Sequence, residues 1–142
     1  MKKIFVDTNV LIDFLADRKP FSLISAQIFT YAVAGKVKLY ISAVSYNNTY
    51  YILRQSHTHA STIKLLKELS EITEVADVTE LVIKNSLRST FNDFEDAIQY
   101  NSALSIPKID FIITRDSKDF KRSEIPVLTP TEGLALLAIE NT

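Results

Sequence analysis

Short apolar runs alternate along this chain with longer amphipathic stretches, and the alternation predicts strands and helices in turn. Ile4, Phe5 and Val6 are too few for a helix and strong in β character, which suits a strand buried on both faces. The run stops at Asp7, and Thr8 or Asn9 is then placed to cap a helix whose apolar side carries Val10, Leu11, Phe14 and Leu15. Residues 21–33 keep helical spacing, with Ser22 as the candidate cap and Ala34-Gly35 as the stop. Val37–Ser42 alternates and then runs apolar, a second strand. A helix follows from Ala43 to about Arg54, with Val44, Asn48, Tyr51 and Ile52 on one side. Residues 57–61 are polar and loop-like, 62–69 form an amphipathic helix, and 72–75 a short strand. Thr79 is positioned to cap a helix over 80–87, with Leu81, Val82 and Leu87 turned inward. After a break at 89–92, Asp93 begins a helix reaching about Ser105. Residues 110–114 read as a buried strand, 115–120 as a turn, and Val127–Leu128 as a last strand before Pro130 and a helix over 131–139. Strands alternating with helices predict an α/β fold with a mainly parallel sheet. No repeat, low-complexity segment or linker interrupts the pattern, so residues 1–142 are expected to form one domain.

Composition narrows the class without naming a function. Hydrophobic residues make up 46% and charged residues 23%, as in folded globular proteins. The net charge of −1 rules out a globally basic chain, so any attraction for nucleic acid has to come from a local patch. Without cysteine there is neither a disulfide framework nor a thiolate metal site, and His57 and His59 sit in a polar segment that reads as solvated surface. The apolar run after Met1-Lys2-Lys3 is too short for a signal-peptide core, and no later run is long enough to span a membrane. A cytoplasmic protein with no membrane partner is expected.

The carboxylates change the picture. Asp7 ends the first strand and Asp116 follows the Phe111-Ile112-Ile113-Thr114 strand, with Asp119 close by. In open α/β sheets, ligands bind just beyond the carboxyl ends of strands. Asp93 and Asp96 share a face of the helix that they begin, and Asp96 lies beside its apolar stripe of Ala97, Tyr100 and Leu104. Glu95 is read more simply, as a partner of the helix dipole. Acids gathered at strand ends repel one another unless a hard cation neutralises them, and Mg²⁺ does so through one or two carboxylates, waters and substrate phosphates.

These residues resemble a known family. Val6-Asp7-Thr8-Asn9-Val10-Leu11-Ile12-Asp13, then Ile41-Ser42-Ala43-Val44-Ser45, then Asp93-Phe94-Glu95-Asp96-Ala97, then Ile113-Thr114-Arg115-Asp116 with Asp119-Phe120, are similar to the PIN domain, which includes the VapC-type toxins of toxin–antitoxin pairs. The resemblance runs over essentially the whole chain, to Val127-Leu128-Thr129-Pro130. It implies a three-layer α/β/α sandwich and a metal-dependent ribonuclease holding Mg²⁺ or Mn²⁺. Asp7, Asp96 and Asp116 match the first, third and fourth acids of the family and are the expected catalytic and metal-binding residues. Asn9 and Thr114 match the small polar residues beside them. The second acid is missing: its position falls at Asn48, which brings no charge, and Asp93 is expected to restore that charge as a metal ligand.

The leading expectation is therefore an endoribonuclease that cleaves a structured RNA such as tRNA and is silenced by an antitoxin. The alternative is a non-catalytic PIN-fold module that binds RNA or protein, favoured by Asn48. An aspartyl-phosphate phosphatase would need a second aspartate where Asn9 stands, and a receiver domain would need an acid pair after the first strand. Arg115 and Arg54 are the first choices for holding RNA phosphates. The family also implies a homodimer, for which Phe21, Ile24, Ile28 and Tyr31, or Tyr46, Tyr50 and Tyr51, are the interface material.

Overall fold

The first strand to be made is the middle of the sheet. In the computed structural model, which describes residues 1–141, five strands lie in the order β3-β2-β1-β4-β5 and every adjacent pair is parallel. They are β1 (Lys2–Val6), β2 (Val37–Ser42), β3 (Glu74–Ala76), β4 (Phe111–Ile113) and β5 (Val127–Leu128). Seven α-helices join them among the described residues: α1 (Thr8–Leu15), α2 (Ser22–Val33), α3 (Ala43–Leu53), α4 (His59–Ile72), α5 (Glu80–Arg88), α6 (Phe94–Leu104) and α7 (Pro130–Glu140). A 3₁₀ turn at Ser117–Phe120 follows β4. The expected three-layer α/β/α class is the one observed.

Alternate side chains of β1 serve the two faces. Ile4 and Val6 pack with Val10, Leu11, Ile28, Phe29, Leu69 and Leu137, from α1, α2, α4 and α7. Phe5 faces the other layer, with Tyr100 and Ala103 of α6 and Phe120 of the 3₁₀ turn. β1 is thus buried on both sides, as its continuous apolar run requires. From β1 the chain first winds outward to β2 and β3, and later returns to add β4 and β5 on the other flank. That reversal opens a crevice between the carboxyl ends of β1 and β4. No helix among the described residues is long and apolar enough to cross a membrane.

Several local expectations are corrected. Asp7 itself caps α1, accepting from the Thr8 backbone N–H at 2.8 Å, so the Thr8 hydroxyl and Asn9 amide are left for other work. Ser22 does not cap α2, whose first turn has no side-chain cap. Thr58 caps α4 through the Ser61 N–H, so the polar stretch after His57 forms the first helical turn rather than a loop. The buried side of α3 is Ser45, Thr49 and Leu53, while Tyr51 is 65% exposed. α5 turns Val82 and Ser86 inward, where Ser86 Oγ accepts from the Asn101 side chain, and leaves Leu81 and Leu87 exposed.

Candidate active site

Asp7 is where the site begins. Its backbone N–H donates to the Ile113 carbonyl at 3.0 Å, which pins the end of β1 to the end of β4. One carboxylate oxygen, Oδ1, caps α1. The other, Oδ2, accepts from the Thr114 hydroxyl at 2.7 Å and from Asn9 Nδ2 at 3.4 Å. Thr114 Oγ1 in turn accepts from the Asp116 backbone N–H at 3.0 Å, so one hydroxyl fixes both acids. The Asn9 amide also bridges them: Nδ2 reaches Asp116 Oδ2 at 3.1 Å, while its Oδ1 accepts from the Arg115 N–H at 3.3 Å. A rotated amide would put its oxygen against two carboxylates, so this orientation is the one chemistry permits.

α6 supplies the opposite wall. Asp93 is its N-cap and accepts from the Asp96 N–H at 3.0 Å. Glu95 accepts from Asn48 Nδ2 at 2.8 Å, which ties α6 to α3. Deeper in, the Gln99 amide donates to the hydroxyls of Thr8 at 3.2 Å and Ser45 at 3.0 Å, so α1, α3 and α6 meet on one buried polar cluster. The outcome is a single cavity of about 360 Å³ lined by Asp7, Asn9, Asp93, Glu95, Asp96, Asp116 and Asp119, with Arg18 at its edge.

Like charges in a partly dry cavity resist ionising. Burial pushes the Asp7 carboxyl up to about 6, against the Thr114 and Thr8 hydrogen bonds, with Glu95 and Asp116 adding repulsion. Asp96 is pushed up to about 7, first by burial and then by Asp93, Asp7, Asp119 and Glu95. Asp93 is the strongest charge acting on Asp96 and Glu95 the weakest, but Glu95 also acts on Asp7 and lines the same cavity. The helix-dipole reading of Glu95 is therefore incomplete. The amide at position 48 was the available signal, but the charge expected to accompany it was Asp93, whereas its side chain donates to Glu95.

The donor set is all hard oxygen, the kind that suits Mg²⁺ or Mn²⁺. Among the described residues no three acids close into a finished metal cage. A small cation that keeps most of its waters needs only one or two carboxylates, and the cavity brings Asp7 and Asp116 to the same Asn9 amide.

The two arginines expected to hold phosphates are engaged elsewhere. Arg115 forms a two-pronged pair with Asp13, Nε to Oδ2 at 2.6 Å and Nη2 to Oδ1 at 3.2 Å, and lies 4.0 Å from the centre of the Phe21 ring. Asp13 is fully buried, and Arg18 approaches it at 3.9 Å. Arg54 donates to the His57 carbonyl and the Tyr50 hydroxyl, at 3.3 and 3.1 Å, away from the cavity.

Comparison with known proteins places this geometry. A family model of the PIN domain matches residues 3–118. Ribonuclease VapC1 of Aquifex aeolicus (strain VF5) is 29% identical over 142 aligned residues, covering 92% of each chain. Among solved structures, a toxin–antitoxin complex from Klebsiella pneumoniae superposes with a TM-score of 0.65 at 24% identity, over 89% of this chain and 97% of that one. A chain of DNA-bound VapBC from Salmonella typhimurium gives a TM-score of 0.69 at 16% identity, over 92% and 99%. These two likenesses speak for the fold.

Proposed function

This chain belongs to the PIN domain family, and from that premise we propose that it is a Mg²⁺- or Mn²⁺-dependent endoribonuclease, the toxin of a toxin–antitoxin pair. The observation that carries the reading is the convergence of Asp7, Asp96 and Asp116 on one cavity where two carboxyls are raised toward neutrality. The relative named as a ribonuclease, and the similar structure named as a toxin–antitoxin complex, support it. The proposed partners are a structured RNA such as tRNA, a cognate antitoxin and a second copy of this single-domain chain, in the cytoplasm.

In this reading Asp7, Asp96 and Asp116 hold the cation, whose contribution when bound is Lewis acidity at the scissile phosphodiester. Asn9 and Thr114 keep Asp7 and Asp116 in fixed rotamers through the hydrogen bonds they share. The cavity's own charge repels a phosphodiester, so substrate approach is coupled to cation binding. Asp93 spends one oxygen on capping α6 and Glu95 one on Asn48, and of the two Asp93 is the stronger charge at Asp96. Asp93 is therefore proposed to supply the missing charge, and Asp93→Asn is expected to weaken Mn²⁺ binding, read by calorimetry, more than Asn48→Ala does.

Asn48 favours one other reading, a PIN fold that binds without turnover. Incubating the purified protein with RNA, with and without Mn²⁺, separates the two. Cleavage that requires Mn²⁺ and is abolished by Asp7→Asn supports the nuclease, and intact RNA under all conditions overturns it.

A further inference from the structure

Beside the acidic cavity lies a second one of about 360 Å³, and the two share Asp93, Asp96 and Asp119 as a common wall. Its other side is basic: Lys118, Lys121 and Arg122 line it, all exposed and all contributed by the 3₁₀ turn after β4 and the residues following it. None of the three has a carboxylate within 4.0 Å among the described residues, although three aspartates line the same space. Arg122 instead bonds the Thr90 hydroxyl across the cleft, at 2.5 Å.

The arginines described above have other partners. Arg115 and Arg18 are drawn to Asp13, and Arg54 to Tyr50 and the His57 carbonyl. A net charge of −1 leaves the recruitment of a polyanion to whatever local field remains. That field is polarised along the joined cavities. The Asp7 end presents carboxylates, whereas the Lys121 end sets three cations beside the shared aspartates.

We infer that the cleft of Lys118, Lys121 and Arg122 is the track for the RNA strand running on from the scissile phosphate, holding its neighbouring phosphates by charge. The inference rests on the nuclease reading for the identity of the strand, and single-stranded RNA is the occupant it commits to. Groove-and-charge tracking of this kind is tolerant of base sequence and steep in salt.

The test is binding of a fluorescent single-stranded RNA oligonucleotide to the full chain by anisotropy, in EDTA to prevent turnover, over a series of salt concentrations. Lys118→Gln with Lys121→Gln is compared with Lys64→Gln and Lys67→Gln on α4, exposed residues that remove equal charge from a distant face. The cleft pair is expected to weaken binding about tenfold and to reduce the salt slope by about 1.4, the value for two single-strand phosphate contacts. Equal losses from both pairs, or none from either, overturn the track. Cleavage of a structured RNA, a tRNA mixture, by the unaltered protein with Mn²⁺ is scored separately. Cleft-dependent binding without cleavage overturns the nuclease reading and keeps the track; cleavage with cleft-independent binding does the reverse.

Discussion

Asp13 is fully buried, and its charge is met chiefly by the Arg115 guanidinium. Removing one partner of a buried pair strands the other, so Arg115→Ala is expected to cost about 3 kcal/mol in urea unfolding. An RNA contact alone would leave stability untouched. This role was hidden because the two residues are 102 apart in sequence, whereas the adjacency of Arg115 to Asp116 was plain and suggested a different one. Asp7, Asp96 and Asp116 were legible for the opposite reason: each sits at a strand end or beside an apolar helical stripe, which local pattern reports. The acids also set a pH dependence. Asp7 and Asp96 have folded pKa values of about 6 and about 7, above those of an unfolded aspartate. Their contribution to stability is therefore full below about pH 4 and lost as pH rises through 6 and 7. Without divalent cation, the urea midpoint should fall between pH 5 and 8, and Asp7→Asn should flatten that slope.

At the scale of elements, α7 lies against β4 at a glycine. A Cβ on Gly133 would come within 2.7 Å of Ile113 Cδ1 and 3.1 Å of its Cγ1, in a fully buried spot. Gly133→Ala is therefore expected to destabilise by about 1–2 kcal/mol, despite alanine's better helix propensity. Ile113→Val removes the clashing Cδ1, so in that background the same change should cost less. A double-mutant cycle by urea denaturation reads the difference. Helix faces were legible where apolar residues made them and lost where small polar ones did. α3 buries Ser45 and Thr49 because a short hydroxyl lets it approach α1, with Ser45 Oγ 2.7 Å from Thr8 Oγ1. A hydrophobic stripe cannot announce such a face. The tyrosines divide similarly: Tyr46 packs against the core and Tyr50 bonds His59 at 2.8 Å, while Tyr51 stays exposed.

For the whole molecule, the proposed cation site would link ligand binding to folding. A cation that binds only the folded chain stabilises it by about 2.7 kcal/mol at a hundredfold excess over its Kd. For a chain of this size that raises Tm by roughly 8–12 °C. Mn²⁺ should produce such a shift at pH 8 and a much smaller one at pH 5, where protons occupy Asp7 and Asp96; equal shifts at both would count against these acids as the site. The strand order has a consequence in time as well. β1 emerges first from the ribosome and can pair with β2 early, yet its other edge waits for β4, and Asp7 waits for Thr114, 107 residues later. At roughly 5–20 residues per second that interval lasts several seconds or more. For most of it the nascent polypeptide carries Asp7 without Glu95 or Asp96, and for all of it without Asp116. A nascent chain short of Asp116 therefore holds no assembled acidic cavity, and the pocket closes only after most of the sheet has been translated.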